Sequence, residues 1–138
     1  MSPEANKQLV SEFYQALVDG DYDKAGDMCH PDFVFYNQID TPRTGAAGFI
    51  EAEKKHLDIF PGFSMTVDTV AEGDRVAAYV VFEGDQQSEY YGVSPQGGHL
   101  RMSMCNLFTV RNGKFVEKRA HYDRLDHIEQ LDKNAVSA

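Results

Sequence analysis

Apolar side chains at Val10, Phe13, Tyr14 and Leu17 follow the i, i+3, i+4, i+7 spacing of one helix face, so the chain opens on an amphipathic helix. Ser2 suits the N-cap, Pro3 the first turn and Glu4 the positive end of the helix dipole. Gly20 ends that helix. Asp21 then caps a short second one, with Tyr22, Ala25 and Met28 along one side and Pro31 as its stop. Residues 33–38, rich in aromatics and Val, read as a strand, and the loop TPRTG follows. A third helix is expected over about 46–60, with Phe49, Ile50, Leu57 and Phe60 as its apolar positions and Pro61-Gly62 as its terminator.

The pattern then changes from helical to alternating. Strands are expected over 63–71, 75–83, 87–93, 99–110 and 115–124, punctuated by Gly73, Gly84, the SPQGG loop and Asn112-Gly113. A short helix over about 125–131 and a frayed tail at about 132–138 complete the chain. Helices followed by a run of antiparallel strands imply a single α+β domain over 1–138, with the helices packed on one face of a curved sheet.

Asn112-Gly113 has a sharper consequence. A two-residue type I′ turn needs positive φ at both central residues, and Asn-Gly supplies it. Arg111 then pairs with Lys114, and the register continues through Val110 with Phe115, Phe108 with Glu117, Asn106 with Arg119, Met104 with His121 and Met102 with Asp123. The ten side chains of the five pairs from Val110–Phe115 to Met102–Asp123 are expected on one face. An apolar row (Met102, Met104, Asn106, Phe108, Val110) beside an ionisable row (Glu117, Arg119, His121, Asp123) fits the wall of a concave pocket. The bland alternative is a surface ion ladder worth under about 1 kcal/mol per pair. The opposite face, with Cys105, Leu107, Lys118, Ala120 and Tyr122, would suit a subunit interface or a half-wet surface.

Charge and composition narrow the function classes. Thirteen Lys and Arg against 22 Asp and Glu give a net charge of −9 over 138 residues, which argues against nucleic acid or anionic membrane as a partner. No apolar run approaches the roughly 20 residues of a spanning helix. MSPEANKQLV does not read as a signal peptide, so a cytoplasmic location is expected. Cys29 and Cys105 read as half-buried thiols in a reducing compartment. The five histidines (His30, His56, His99, His121, His127) lack tight ligand spacing, so neither metal nor cofactor is expected. His99 reads as plain surface and His127 as solvated.

Several segments together resemble a known family. LVDGDYDKAGDMCHPDFVFY, TPRTGAAGFIEA and FPGFSMTVDTVAEGDRVAAYVVFEG are similar to nuclear-transport-factor-2-like domains. EYYGVSPQGGHLRM and NLFTVRNGKFVEKRAHYDRLDHIEQL resemble the turn and the C-terminal signature of SnoaL-like polyketide cyclases, over about residues 6–131. The resemblance implies a cone, a curved antiparallel sheet wrapped round three helices and open at one end, forming a homodimer. It implies cofactor-independent intramolecular aldol cyclisation, with the acid/base aspartate falling on Asp123. Glu117, Tyr122, Asp123 and Leu125 match the terminal signature, whereas Arg119 stands where Trp is usual and Tyr122 replaces a second Trp. For the ketosteroid isomerases of the same superfamily, the matching positions are Phe13, Asn37 (or Tyr36) and Asn106, without the required acids.

These readings assign Asp123 and His121 to catalysis. Substrate binding falls to Tyr36, Asn106, Arg119, Met102, Met104, Tyr90 and Phe108, with Tyr91 near the mouth. The expected function is a cyclase or isomerase acting on a hydrophobic polyketide- or terpenoid-like molecule by acid/base catalysis. Epoxide opening or dehydration in the same pocket, or a non-catalytic ligand-binding or dimerisation module, are the alternatives.

Overall fold

The computed structural model describes residues 2–37 and 41–133. The first helix, α1 (Pro3–Val18), is capped as its sequence demands: the Ser2 hydroxyl accepts from the Ala5 amide at 3.1 Å. Val10, Phe13, Tyr14 and Leu17 form its buried face. Asp21 caps α2 (Tyr22–Asp27), accepting from the Lys24 amide at 3.1 Å. There follow β1 (Cys29–Tyr36), β2 (Pro42–Thr44), α3 (Ala46–Leu57), β3 (Ser64–Glu72), β4 (Arg75–Asp85), β5 (His99–Arg111), β6 (Lys114–His121) and α4 (Arg124–Leu131).

The six strands form one curved, unclosed sheet in the order β2-β1-β6-β5-β4-β3. β1 runs parallel to β6, and every other pair is antiparallel. The helices bury one face of this sheet. Val76, Ala78, Val80 and Phe82 of β4 point into the core, while the intervening Tyr79 is exposed. Rings of Phe13, Phe33, Phe35, Phe49, Phe108 and Phe115 pack as one cluster between α1, α3 and the sheet. The expected α+β cone is therefore the observed fold.

Four local expectations are corrected. TPRTG carries the short strand β2, paired with β1, instead of a bare loop. β4 runs through Gly84, where a Cβ would sit 2.9 Å from Phe60 Cβ, so glycine serves close packing there. Residues 87–93 form no regular strand, only a bridge between Tyr90 and Val93. The Gln86 amide donates to the carbonyls of Ser88 and Val93, taking over what a neighbouring strand would satisfy, and Tyr91 and Gly92 turn the chain with positive φ. β6 stops at His121 because Asp123 starts α4 as its N-cap. Of the expected frayed tail, residues 134–138 lie outside the described residues, as does Gln38 of the first expected strand.

The largest correction lies in the last hairpin. The turn is as expected, with positive φ at Asn112 and Gly113 and with Arg111 opposite Lys114 and Val110 opposite Phe115. Thr109 then pairs with Glu117, so Val116 is an extra residue and the register slips by one. From there Phe108 faces Lys118, Asn106 faces Ala120 and Cys105 faces His121. β1 shifts register against β6 at the same level, between Cys29 and Val34. A bulge adds local twist and bends its strand, which suits a sheet curling round helices. It also exchanges the faces of everything beyond it.

Candidate active site

Inside the cone lies a cavity of about 110 Å³. Its walls are Phe49, Ala52, Glu53 and His56 of α3, Phe35 and Asn37 at the end of β1, Met102 and Met104 of β5, and Lys118, Ala120 and Tyr122 of the last strand and its exit, with Tyr91 from the 86–98 segment. The α3 positions follow i, i+3, i+4, i+7, one helical stripe turned toward the sheet. Two polar residues thus occupy the middle of an otherwise apolar face.

The first polar group is an ion pair. Lys118 Nζ lies 3.1 Å from Glu53 Oε1, 4.8 Å from the Phe49 ring centroid and 5.9 Å from that of Phe108. The Lys118 side chain is only 7% exposed. A cation so placed is tolerated because a carboxylate and two aromatic faces replace its water. The bulge creates this pair, since without it Lys118 would point outward.

The second is His56. Its ring sits among Phe60, Phe82 and Tyr90, and its Nε2 is buried without a hydrogen-bond partner. Burial lowers the imidazole pKa below its ordinary value. The Glu53 carboxylate opposes the shift, and His127 and Lys118 add to it. His56 is therefore neutral at pH 7, and in the Nδ1–H tautomer its Nε2 presents an uncommitted lone pair.

Around the rim, the Arg124 guanidinium lies 4.2 Å from the Tyr91 ring centroid. Burial, with help from Tyr122, pushes the Tyr91 phenol up to about 12, so it remains a neutral donor. Behind the cavity wall, the Tyr90 hydroxyl lies 3.0 Å from His127 Nδ1.

The structure divides the expected site residues into three groups. Met102 and Met104 line the cavity. Asn106 and Phe108 share their inward face but lie deeper: the Asn106 Nδ2 donates to the Tyr14 hydroxyl at 2.6 Å, and its Oδ1 is buried without a partner. The helix-one residue meeting Asn106 is thus Tyr14, not Phe13. Tyr90 is fully buried behind His56 and does not line the cavity.

The third group stands outside. Arg119 stacks on Tyr36 at 3.9 Å and pairs with Glu117 at 2.8 Å, so Arg119 and Tyr36 do not line the cavity. His121 is exposed beside Cys105. Asp123 is exposed and accepts from the Asp126 amide at 3.2 Å as the cap of α4. The bulge at Val116 accounts for Arg119 and His121, and the cap for Asp123. His127, expected in solvent, is buried at 2% exposure, whereas His99 is at the surface as expected, bonded to Asp85 and Glu83.

Glu53, His56, Lys118 and Tyr122 are the groups that pattern reading missed. Phe49, Glu53 and His56 form one stripe of α3, with Phe60 just beyond its end, so a charged and an imidazole side chain within an apolar face was the available signal. Lys118 and Tyr122 had no comparable signal, because their face depends on the bulge.

Among the described residues no group of three or more His, Cys, Asp or Glu is arranged to hold a metal ion, and no helix is long and apolar enough to cross a membrane. A second depression, of about 380 Å³, lies near the far end of β5 against Asn6, Asp74, Val110, Asn112 and Gly113. Asp74 is the one titratable group in its lining, so the smaller cavity is the candidate for chemistry.

A family model described as SnoaL-like polyketide cyclase matches residues 8–131. No curated protein sequence matches the chain. Among solved structures, AclR from Streptomyces galilaeus, a proposed hydroxylase, is 25% identical with a TM-score of 0.87, over 99% of this chain and 87% of its own. IdmH from Streptomyces antibioticus, a proposed polyketide cyclase, is 28% identical with a TM-score of 0.78, over 91% and 96%. An LEH-like epoxide hydrolase of M. tuberculosis shares the fold at 18% identity and a TM-score of 0.72, over 94% of this chain and 90% of its own.

Proposed function

The chain belongs to the SnoaL-like polyketide cyclase family, and from that premise we propose that it closes a ring in a hydrophobic polyketide-like molecule by acid/base chemistry in the cone cavity, with His56 as the base. The observation that carries this reading is the buried, unpartnered Nε2 of His56 at the wall of a cavity that also holds a cation.

The proposed steps follow from what each group can do. Neutral His56 takes the proton from a carbon flanked by two carbonyls, leaving an enolate. One N–H of Lys118 is held by Glu53, and the others are free to donate to the developing enolate oxygen, where charge appears only as the proton leaves. The enolate carbon attacks a second carbonyl of the same molecule. A C–C bond forms, the carbonyl π bond becomes an alkoxide, and His56 returns its proton there. Nothing is oxidised or reduced, so the reaction is an isomerisation without a co-reactant.

Phe35, Phe49, Met102 and Met104 supply the flat apolar walls for a conjugated substrate. Pockets that enclose drug-sized ligands span roughly 300–1,000 Å³. This cavity therefore takes the reacting end of the molecule and leaves the remainder at the rim by Tyr91. That IdmH is a proposed polyketide cyclase supports ring closure, while AclR, a proposed hydroxylase, marks the other chemistry to be tested.

The test is product analysis after incubation with a linear poly-β-ketone. A ring closed through carbon, with the substrate's own mass, supports the proposal. Closure through oxygen, or loss of water without a new C–C bond, overturns aldol chemistry, and unchanged ligand that still binds assigns the cavity to a binding module.

A further inference from the structure

The steps above leave a second buried histidine unused. His127 of α4 is 2% exposed, and Tyr90, whose hydroxyl it meets, is fully buried. The oxygen and His127 Nδ1 are 3.0 Å apart. Burial pushes each toward its neutral form, the phenol up and the imidazole down. With both partners neutral the bond takes one of two forms: the Tyr90 hydroxyl donates to Nδ1 of the Nε2–H tautomer, or the Nδ1–H tautomer donates to the phenol oxygen.

A mutually satisfied Tyr–His pair is ordinary in a core. Its surroundings here are not. The Tyr90 ring meets the His56 ring edge-on at 5.4 Å, so it forms one wall around that imidazole. Tyr122, which lines the cavity, stacks on His127 at 5.8 Å and 10°. Tyr90 belongs to the irregular 86–98 segment, next to Tyr91 at φ 44°, where no sheet ladder fixes it beyond the single bridge to Val93. The Tyr90 ring packs on Phe60 and Tyr91 as well, and the bond to His127 ties its hydroxyl end to α4.

We propose that Tyr90, locked by His127, is a positioning residue for His56: the pair holds the ring wall that keeps the His56 imidazole dry and oriented toward the substrate. This rests on the reading of His56 as the base. It also gives the C-terminal helix a part in catalysis without contact with substrate, and Asp123 a part as the cap of the helix that carries His127.

The experiment compares wild type with Tyr90→Phe, which keeps the ring and removes only the bond. Histidine-selective NMR titration follows the His56 pKa, and kcat/KM is followed against pH. Loss of the bond loosens the wall, so the His56 pKa rises toward its ordinary value and the acidic limb of the profile moves with it. The kcat falls by about tenfold, within the up to ~10²-fold that misplacement by an ångström costs, while KM is unchanged. His127→Gln, whose amide can meet the Tyr90 hydroxyl as acceptor or donor, restores more of both readouts than His127→Phe. A Tyr90→Phe variant with an unmoved His56 pKa and pH profile overturns the proposal, even if it melts earlier. If the His56 pKa moves but His56→Gln turns over like wild type, the positioning stands and the assignment of His56 as base fails.

Discussion

Lys118 Nζ and Glu53 Oε1 are 3.1 Å apart at the wall of the cone cavity, with the Lys118 side chain 7% and the Glu53 side chain 25% exposed. The lysine is the more deeply buried partner, so the two halves of the pair are not equivalent. Glu53→Gln strands a buried ammonium and is expected to destabilise by up to roughly 3–5 kcal/mol. Lys118→Met with Glu53→Leu removes both charges and is expected to cost much less. Urea denaturation with unchanged m-values checks the order. In turnover, Lys118→Met is expected to lower kcat by about 10²–10³-fold, the effect of removing one oxyanion donor.

His56 and His99 shift in opposite directions, which gives opposite slopes of stability with pH. The folded-state pKa of His56 lies below its ordinary value. Between that depressed value and 6.5 the unfolded chain binds more protons, so this contribution to stability rises with pH and is lost as pH falls through the window. His99 is the reverse: hydrogen bonds to Asp85 and then Glu83 raise its pKa above 6.5, so its contribution is full below 6.5 and fades as pH rises through the raised value. Chemical denaturation across pH 5–8 is expected to show His56→Gln flattening the rise and His99→Gln flattening the fall. The His99 effect is the smaller because that site is exposed.

Val116 decides which side of β6 faces the cavity. Its deletion is expected to leave every pairing beyond it in place, with Lys118 still inward opposite Phe108, and to remove only the twist that the bulge adds. The sheet then curls less closely round its helices, so the deletion variant is expected to keep a cooperative thermal transition at a lower midpoint, as circular dichroism would show. A variant that melts like wild type would contradict the assigned role of the bulge.

That residue also marks what the amino-acid pattern could reveal. The capped α1, the stripe Val10-Phe13-Tyr14-Leu17, the Asn112-Gly113 turn and the inward row of β5 are local consequences of spacing and turn chemistry, and all are found as read. The face of β6 is not local. Nothing in KFVEKRAH announces that Val116 goes unpaired, because the bulge answers the curvature of the whole sheet and the shift of β1 beside it. One unpaired residue therefore carried the candidate site from His121 and Arg119 to Lys118, Ala120 and Tyr122. His56 and Glu53 were legible in the α3 stripe, but only once a polar residue on an apolar face is read as cavity-facing.

The outer face of the sheet carries Tyr79 and Val70 at 51% and 71% exposure, with the exposed Cys105 between Tyr79 and His121. A second copy of this chain packed on that face would cover these side chains, in line with the homodimer that the sequence leads one to expect. Sedimentation equilibrium is expected to give a dimer, and Tyr79→Glu a monomer of unchanged fold. A wild-type monomer at high concentration would contradict it.

The account turns on which residue is the base, and kcat/KM of His56→Gln and Asp123→Asn, measured side by side on one substrate, tests that most directly. Asn caps a helix as well as Asp does, so Asp123→Asn leaves α4 in place and is expected to match wild type. Loss of a general base costs about 10²–10⁴-fold, and His56→Gln is expected to fall in that range. An active His56→Gln beside a disabled Asp123→Asn would contradict the assignment and return the chemistry to the end of the last strand.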